Sequence, residues 1–208
     1  MRNILFIVFS LFIVCLWGCG NGDYLSLKDY LKERQRDSTK FSTYTTVGGL
    51  QITAAYIPSI IMAFREAGSI EALNAEPKDI EKNYQGAEFF DFHITKLDES
   101  TKKYLKRRFV SPDSSESSFE EYLDFEIQRD LSLIIDRDTF PCAYLHREIS
   151  ESITNVLNYT LSFELPMDSP WIAKQDQKIV LNSSQLEMNH IELVVSKNQI
   201  ELLNSIKL

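Results

Sequence analysis

The chain is 208 residues long, with 22 Lys and Arg against 30 Asp and Glu, a formal charge of −8 and an apolar share of 44%. That length supplies one sizeable core or at most two small ones, and the apolar share excludes a disordered chain. Seven Gly and six Pro exclude collagen-like and low-complexity classes, while the acidic balance argues against nucleic acid, which requires a basic footprint.

Arg2 precedes a nearly unbroken apolar run from Ile4 to Trp17. The run has the length of a signal-peptide hydrophobic segment and falls short of the ~20 residues that span a bilayer. It ends in Leu16-Trp17-Gly18-Cys19. This tetrapeptide resembles the lipobox of bacterial lipoproteins, an aliphatic residue three positions before an invariant Cys that follows a small residue; Trp17 stands where the family usually has a smaller side chain. The resemblance implies that residues 1–18 are a signal peptide and that Cys19 carries diacylglycerol and an acyl chain such as palmitate. Residues 19–23 would then form a lipidated tether. Several acyl chains anchor stably, at ~0.8 kcal/mol per buried methylene. Gly20 replaces the Asp that resembles an inner-membrane retention signal, and Asn21-Gly22-Asp23 lacks the acidic run of surface-export signals. These two features imply the outer membrane and its periplasmic face. Cys15 leaves with the leader and Cys19 carries lipid, so Cys142 has no intramolecular partner. The core must hold the fold without a disulfide, and a lone thiol in an oxidising compartment is best kept buried.

The rest, residues 24–208, reads as one β-rich globular domain. Ser26 and Asp29 have N-cap spacing ahead of a helix carrying Leu27, Tyr30 and Leu31, which fades in the charged run Lys32 to Asp37. A hairpin follows: Phe41 to Val47, a Gly48-Gly49 turn, and a return strand from Leu50 to Ile57. Pro58 suits a first helical position, Ile60, Ile61 and Phe64 form a stripe, and Gly68 a left-handed cap. Phe90, Phe92 and Ile94 alternate with Asp91, His93 and Thr95 as in a half-buried strand. Residues 99–109 read as a short helix, and the Ser-rich run 111–118 as a mobile loop.

The second half carries the stronger β signal. Leu123, Phe125 and Ile127 alternate with polar residues, and Leu157, Tyr159, Leu161, Phe163 and Leu165 do so over nine positions. Shorter strands are expected at Leu131–Ile135, Phe140–His146, Ile179–Leu181 and Ile191–Val195. One polar face per strand marks antiparallel sheets. About eight strands make a mainly β (α+β) fold, an antiparallel β-sandwich or flattened barrel with two or three short helices. Ala55-Tyr56-Ile57-Pro58 before Met62-Ala63, then Ile179-Val180-Leu181-Asn182, then Leu203-Asn204-Ser205-Ile206-Lys207-Leu208 also resemble segments of small lipoproteins of unassigned function from Gram-negative bacteria. That likeness implies no activity.

Chemistry is sparse. His93 lies two positions from Asp91, a spacing open to a metal pair, although a solvated surface histidine is the plainer reading. Cys142 and His146 share a strand face yet stand too far apart for a catalytic pair. Glu187 and His190 have helical spacing in a turn-like segment, and no second pair completes a metal site. Asp136 and Asp138 lack the further oxygen ligands of a calcium loop. No nucleophile elbow, dinucleotide fingerprint, Walker loop or Cys-x-x-Cys occurs. The sequence therefore names no catalytic residue, metal or cofactor. Lys102, Lys103, Lys106, Arg107 and Arg108 stand out against the acidic background. They form a candidate patch for anionic headgroups or an acidic partner, against the alternative of a solvated helix face offsetting nearby acids. The leading expectation is a non-catalytic outer-membrane lipoprotein, tethered by its lipid and serving as an interaction or assembly component of the cell envelope with a protein partner. The alternatives are a tethered carrier of a small apolar ligand and an enzyme of unrecognised type.

Overall fold

Ser26 opens the first helix. In the computed structural model, which describes residues 25–37, 39–75, 82–110, 115–148, 155–166 and 175–208, its Oγ accepts the Asp29 amide at 3.1 Å. That bond satisfies one of the orphan donors of a helix start. Helix α1 (Leu27–Arg36) ends within the charged run, as expected, with Asp37 as its C-cap. The expected signal peptide, Cys19 and the tether lie outside the described residues. Strands β1 (Thr43–Val47) and β2 (Leu50–Ile57) form the expected hairpin. Gly48 and Gly49 both have positive φ, at 58° and 78°, as a two-residue turn between twisted strands requires. Pro58 caps α2 (Ser59–Ala67) from just outside it, and Gly68 closes that helix at φ 75°. Then come α3 (Ile70–Ala75) and β3 (Ala87–Lys96).

Next in the chain are α4 (Thr101–Arg108), α5 (Glu116–Asp124) and a 3₁₀ turn over Glu126–Asp130. They correct two expectations. Residues 111–114 of the Ser-rich run lie outside the described residues, but Ser115 caps α5 by accepting the Ser118 amide, and Glu116 to Ser118 are helical. Leu123, Phe125 and Ile127 belong to no strand: Leu123 and Ile127 are buried and Phe125 is exposed. Phe119, Tyr122 and Leu123 point inward together at helical spacing.

The remaining strands are β4 (Leu131–Ile135), β5 (Asp138–Pro141), β6 (Tyr144–Glu148), β7 (Val156–Glu164), β8 (Gln177–Ser183) and β9 (Met188–Val195), followed by α6 (Lys197–Asn204). The expected strand Phe140–His146 is divided, because β5 pairs with β4 while β6 pairs with β7 in the other sheet. The two sheets run β1-β2-β3-β7-β6 and β5-β4-β8-β9, and every pairing within them is antiparallel. The fold is thus mainly β with helical additions, an unclosed two-sheet α+β sandwich. The described residues hold six α-helices, more than the two or three read from the sequence.

One core joins the sheets. Ile52, Ala54 and Tyr56 of β2, Phe90, Phe92 and Ile94 of β3, and Tyr159, Leu161 and Phe163 of β7 share it with Leu133, Ile179, Leu181, Leu193 and Val195. Phe90 meets Tyr56 and Phe163 edge-on, with centroids 5.6 and 5.8 Å apart, a favoured aromatic geometry. Tyr122 ties α5 to this core, its hydroxyl 2.5 Å from Ser183 Oγ and 2.6 Å from Asp130 Oδ2. At one end the chain closes on itself. Leu27 N donates to Lys207 O at 2.7 Å and Lys207 N to Leu25 O at 3.2 Å, a parallel bridge between the two ends of the domain.

Candidate functional site

The outward face of the five-stranded sheet is polar along its centre, because strand alternation turns every second residue away from the core. Register places Thr53, His93 and Asn158 side by side on β2, β3 and β7, with Tyr44 of β1 beyond Thr53 and Glu148 of β6 beyond Asn158. The adjoining rows are Gln51, Thr95 and Val156 on one side, and Ala55, Asp91 and Thr160 on the other.

Asp91 faces outward yet is 4% exposed. Arg65 of α2 donates Nη1 to Oδ1 at 3.0 Å and Nη2 to Oδ2 at 2.7 Å. Arg34 of α1 reaches the same carboxylate with Nη2, while its Nη1 donates to the Tyr30 hydroxyl at 3.0 Å. Burial alone would raise the Asp91 pKa, but the hydrogen bonds and charges of the two arginines outweigh it and hold the carboxyl below its usual range.

Beside this clamp lies a groove of about 270 Å³. Arg34 stands at its head, Thr53, His93, Thr95 and Asn158 form its floor, and Thr39 and Ser42 its rim. His93 Nδ1 donates to Asn158 Oδ1 at 2.8 Å, which fixes the tautomer and makes Nε2 the acceptor in the neutral ring. Among the described residues, no acidic side chain lines the groove. Asp37 sits beside the rim with its Oδ1 taken by Thr39 N and Oγ1.

These contacts revise the reading of Asp91 and His93. They share a face, but one carboxylate is committed to two arginines and the ring is half-buried and bonded to Asn158; His93 is not a freely solvated histidine. Among the described residues, no three His, Cys, Asp or Glu gather as a metal site needs. Cys142 is buried between β5 and β6, its Sγ donating to Tyr144 O at 3.2 Å. Burial pushes its thiol up to about 11, which suppresses the reactive thiolate. His146 is exposed on β6. His190 pairs with Glu192 at 2.8 Å instead of Glu187. Asp136, at φ 55°, and Asp138 bracket the β4–β5 turn.

The five cations of α4 are brought to one helix, and four of them meet carboxylates. Lys102 lies 2.5 Å from Glu120, Arg107 2.6 Å from Glu99 and Arg108 3.7 Å from Glu187, and Lys106 pairs with Glu116. Lys103 has no acidic partner among the described residues. Leu105 is buried and Phe109 packs against Phe119 and Tyr122. Tyr104 anchors the helix to the first hairpin by donating its hydroxyl to Gly48 O at 2.6 Å, with Lys96, Arg107 and Arg108 over its ring. Exposed ion pairs contribute little each, yet here they offset most of the positive field that the bare sequence displays.

Sequence reasoning missed Arg34 and Arg65 altogether. Neither belongs to a motif, and each meets Asp91 from far along the chain.

Among the described residues, no helix is long and apolar enough to cross a membrane. No protein-family model and no curated protein matches the sequence. Among solved structures the chain is similar to a crystal structure titled a novel protein of unknown function from Burkholderia pseudomallei. The two are 11% identical, with a TM-score of 0.43 over 90% of this chain and 98% of that one.

Proposed function

We propose that the chain is a lipoprotein anchored through Cys19 in the outer membrane, facing the periplasm, whose β-rich domain is a non-catalytic interaction or assembly component of the cell envelope. The observation that carries this reading is Leu16-Trp17-Gly18-Cys19 at the end of an apolar leader of signal-peptide length. The interior supports recognition on the outside over carriage of an apolar ligand within. Phe90 meets both Tyr56 and Phe163 between the sheets, among side chains of one continuous buried core, as in an ordinary close-packed interior. The outward groove beside Arg34 offers a small set of convergent polar groups, the kind of surface that fixes a ligand's orientation.

Cys19→Ser tests the anchor. Fatty-acid incorporation should be abolished and an unlipidated precursor should accumulate, whereas an acylated variant by intact-mass measurement would overturn the reading. Cross-linking in intact envelopes followed by affinity capture should recover a stable envelope partner with the wild-type chain.

A further inference from the structure

We infer that the groove on the outward face of the five-stranded sheet binds an acidic sugar, one pyranose ring bearing a carboxylate. Three independent features of this face point there, two in the groove and one on the strand beside it. The first is charge. Arg34 and Arg65 bring two cations to one buried carboxylate, so the clamp keeps one positive charge. Arg34 spends one N–H on Asp91 and one on Tyr30. A guanidinium has five N–H donors, and those left at the head of the groove suit a second carboxylate, which guanidinium binds with matched geometry. The acids nearby lie outside the lining: Asp37 keeps its charge but turns Oδ1 to Thr39 N and Oγ1, beside the rim and not at Arg34, and Glu148 lies across Asn158 from His93.

The second feature is the floor. Thr53, Thr95, His93 and Asn158 present hydroxyl, imidazole and amide groups in adjacent registers, a set that both donates to and accepts from sugar hydroxyls. The third is Tyr44, which follows Thr53 on the same face and is 63% exposed. Tyr44 lies outside the lining, one strand beyond Thr53, and a ring beside a polar floor offers an apolar platform for the C–H face of a pyranose, to which Tyr adds a polar tip. A volume of about 270 Å³ falls below the ~300–1,000 Å³ of sites for drug-sized ligands, and so suits one ring. The inference deepens the reading of the domain as a binding module and uses no property of the lipid anchor.

The test uses the full chain in detergent micelles with D-glucuronate, glucose and inorganic phosphate as probes, read by titration calorimetry and by the His93 ring resonances. Glucuronate should bind, move those resonances and exceed glucose and phosphate in affinity by roughly tenfold or more. Tyr44→Ala, on an exposed edge position, and His93→Gln should each weaken glucuronate roughly tenfold while leaving the circular-dichroism spectrum unchanged. Tighter binding of a glucuronate-containing tetrasaccharide than of the free acid would assign the ligand to a polysaccharide, and equal binding to the free sugar acid. Glucuronate binding no better than glucose or phosphate, or binding unaltered in Tyr44→Ala, would overturn the inference. Acylation of Cys19 is untouched by either result, so the anchor and the groove are judged separately.

Discussion

Arg65 grips Asp91 through two parallel N–H bonds while Arg34 holds the same carboxylate from a different helix. One acidic side chain thus pins both α1 and α2 to the outer face of β3. Asp91→Ala would leave two cations facing each other over a buried position; because Arg34 and Arg65 keep 26% and 35% of their side chains in water, the cost in urea unfolding should fall below the ~3–5 kcal/mol of a fully buried pair. The pH dependence has a definite sign. The Asp91 carboxyl is held below its ordinary value of 3.8, so its contribution is complete above that value and is lost as pH falls through the folded-state pKa. Asp91→Asn should therefore flatten the acid limb of the stability profile, and an unchanged limb would contradict the clamp.

Glu88 should behave in the opposite way. It lies inward on β3 beside Tyr56 and Gln177, and its Oε2 has no hydrogen-bond partner among the described residues, nor does the Gln177 amide. Burial pushes its carboxyl up from 4.5 to about 7, against the weaker pull of the neighbouring Tyr56 hydroxyl and Gln177 amide, which favour the ionised form. A raised carboxyl pKa means that the folded state holds the extra proton. Stability from this group is complete below pH 4.5 and declines as pH rises through 7, by about 3 kcal/mol in total at ~1.4 kcal/mol per unit. Glu88→Gln should remove that slope and be the more stable form above neutrality, as measured by denaturant midpoints across the range.

Phe163 and Ser162 test the register of β7. Phe163 has no exposed surface and packs on Phe90, so Phe163→Ala should cost ~3–5 kcal/mol, the range for a buried aromatic. Ser162 faces the other way and, although buried as well, is a small side chain whose loss of one oxygen opens little space. Ser162→Ala should shift stability by less than about 0.5 kcal/mol. Similar losses from the two substitutions would mean that the alternation is misread.

Gly48→Ala probes the contact between the first hairpin and α4. Gly48 has φ 58°, and an added Cβ would lie 3.3 Å from Arg108 Nη1. The left-handed backbone alone costs an L-residue about 1–2 kcal/mol. The crowding falls on a flexible side-chain end, so thermal unfolding should show the backbone cost with little more.

What was legible in the sequence was whatever repeats at short range. The alternation from Leu157 to Phe163 and the Gly48-Gly49 turn declare themselves within a few residues, and the structure has both. Helix α5 was misread because Leu123, Phe125 and Ile127 happen to alternate; the helical set Phe119, Tyr122, Leu123 and Ile127 was equally present, and exposed Phe125 was the misleading member. Helix α6 escaped notice because two turns bury only Ile200 and Leu203. The groove could not be read at all. Arg34, Arg65, Asp91 and Asn158, of the groove and the clamp beside it, sit on four separate elements, and only the pairing of β3 with β7 and the grip of both arginines on Asp91 bring them together.

The bridge between Leu25, Leu27 and Lys207 has a mechanical consequence. Five residues lie between Cys19 and Leu25, and the six steps from one to the other, at most ~3.3–3.6 Å each, reach about 20 Å. If Cys19 is held in the bilayer as proposed, Lys207 would stay within roughly that distance of the headgroups however the domain swings. Any pull on the lipid would load α1 and the final residues of the domain together, shearing two backbone hydrogen bonds at once rather than peeling the first helix away alone. On that proposal, a fluorophore at Lys207 would report on the membrane surface.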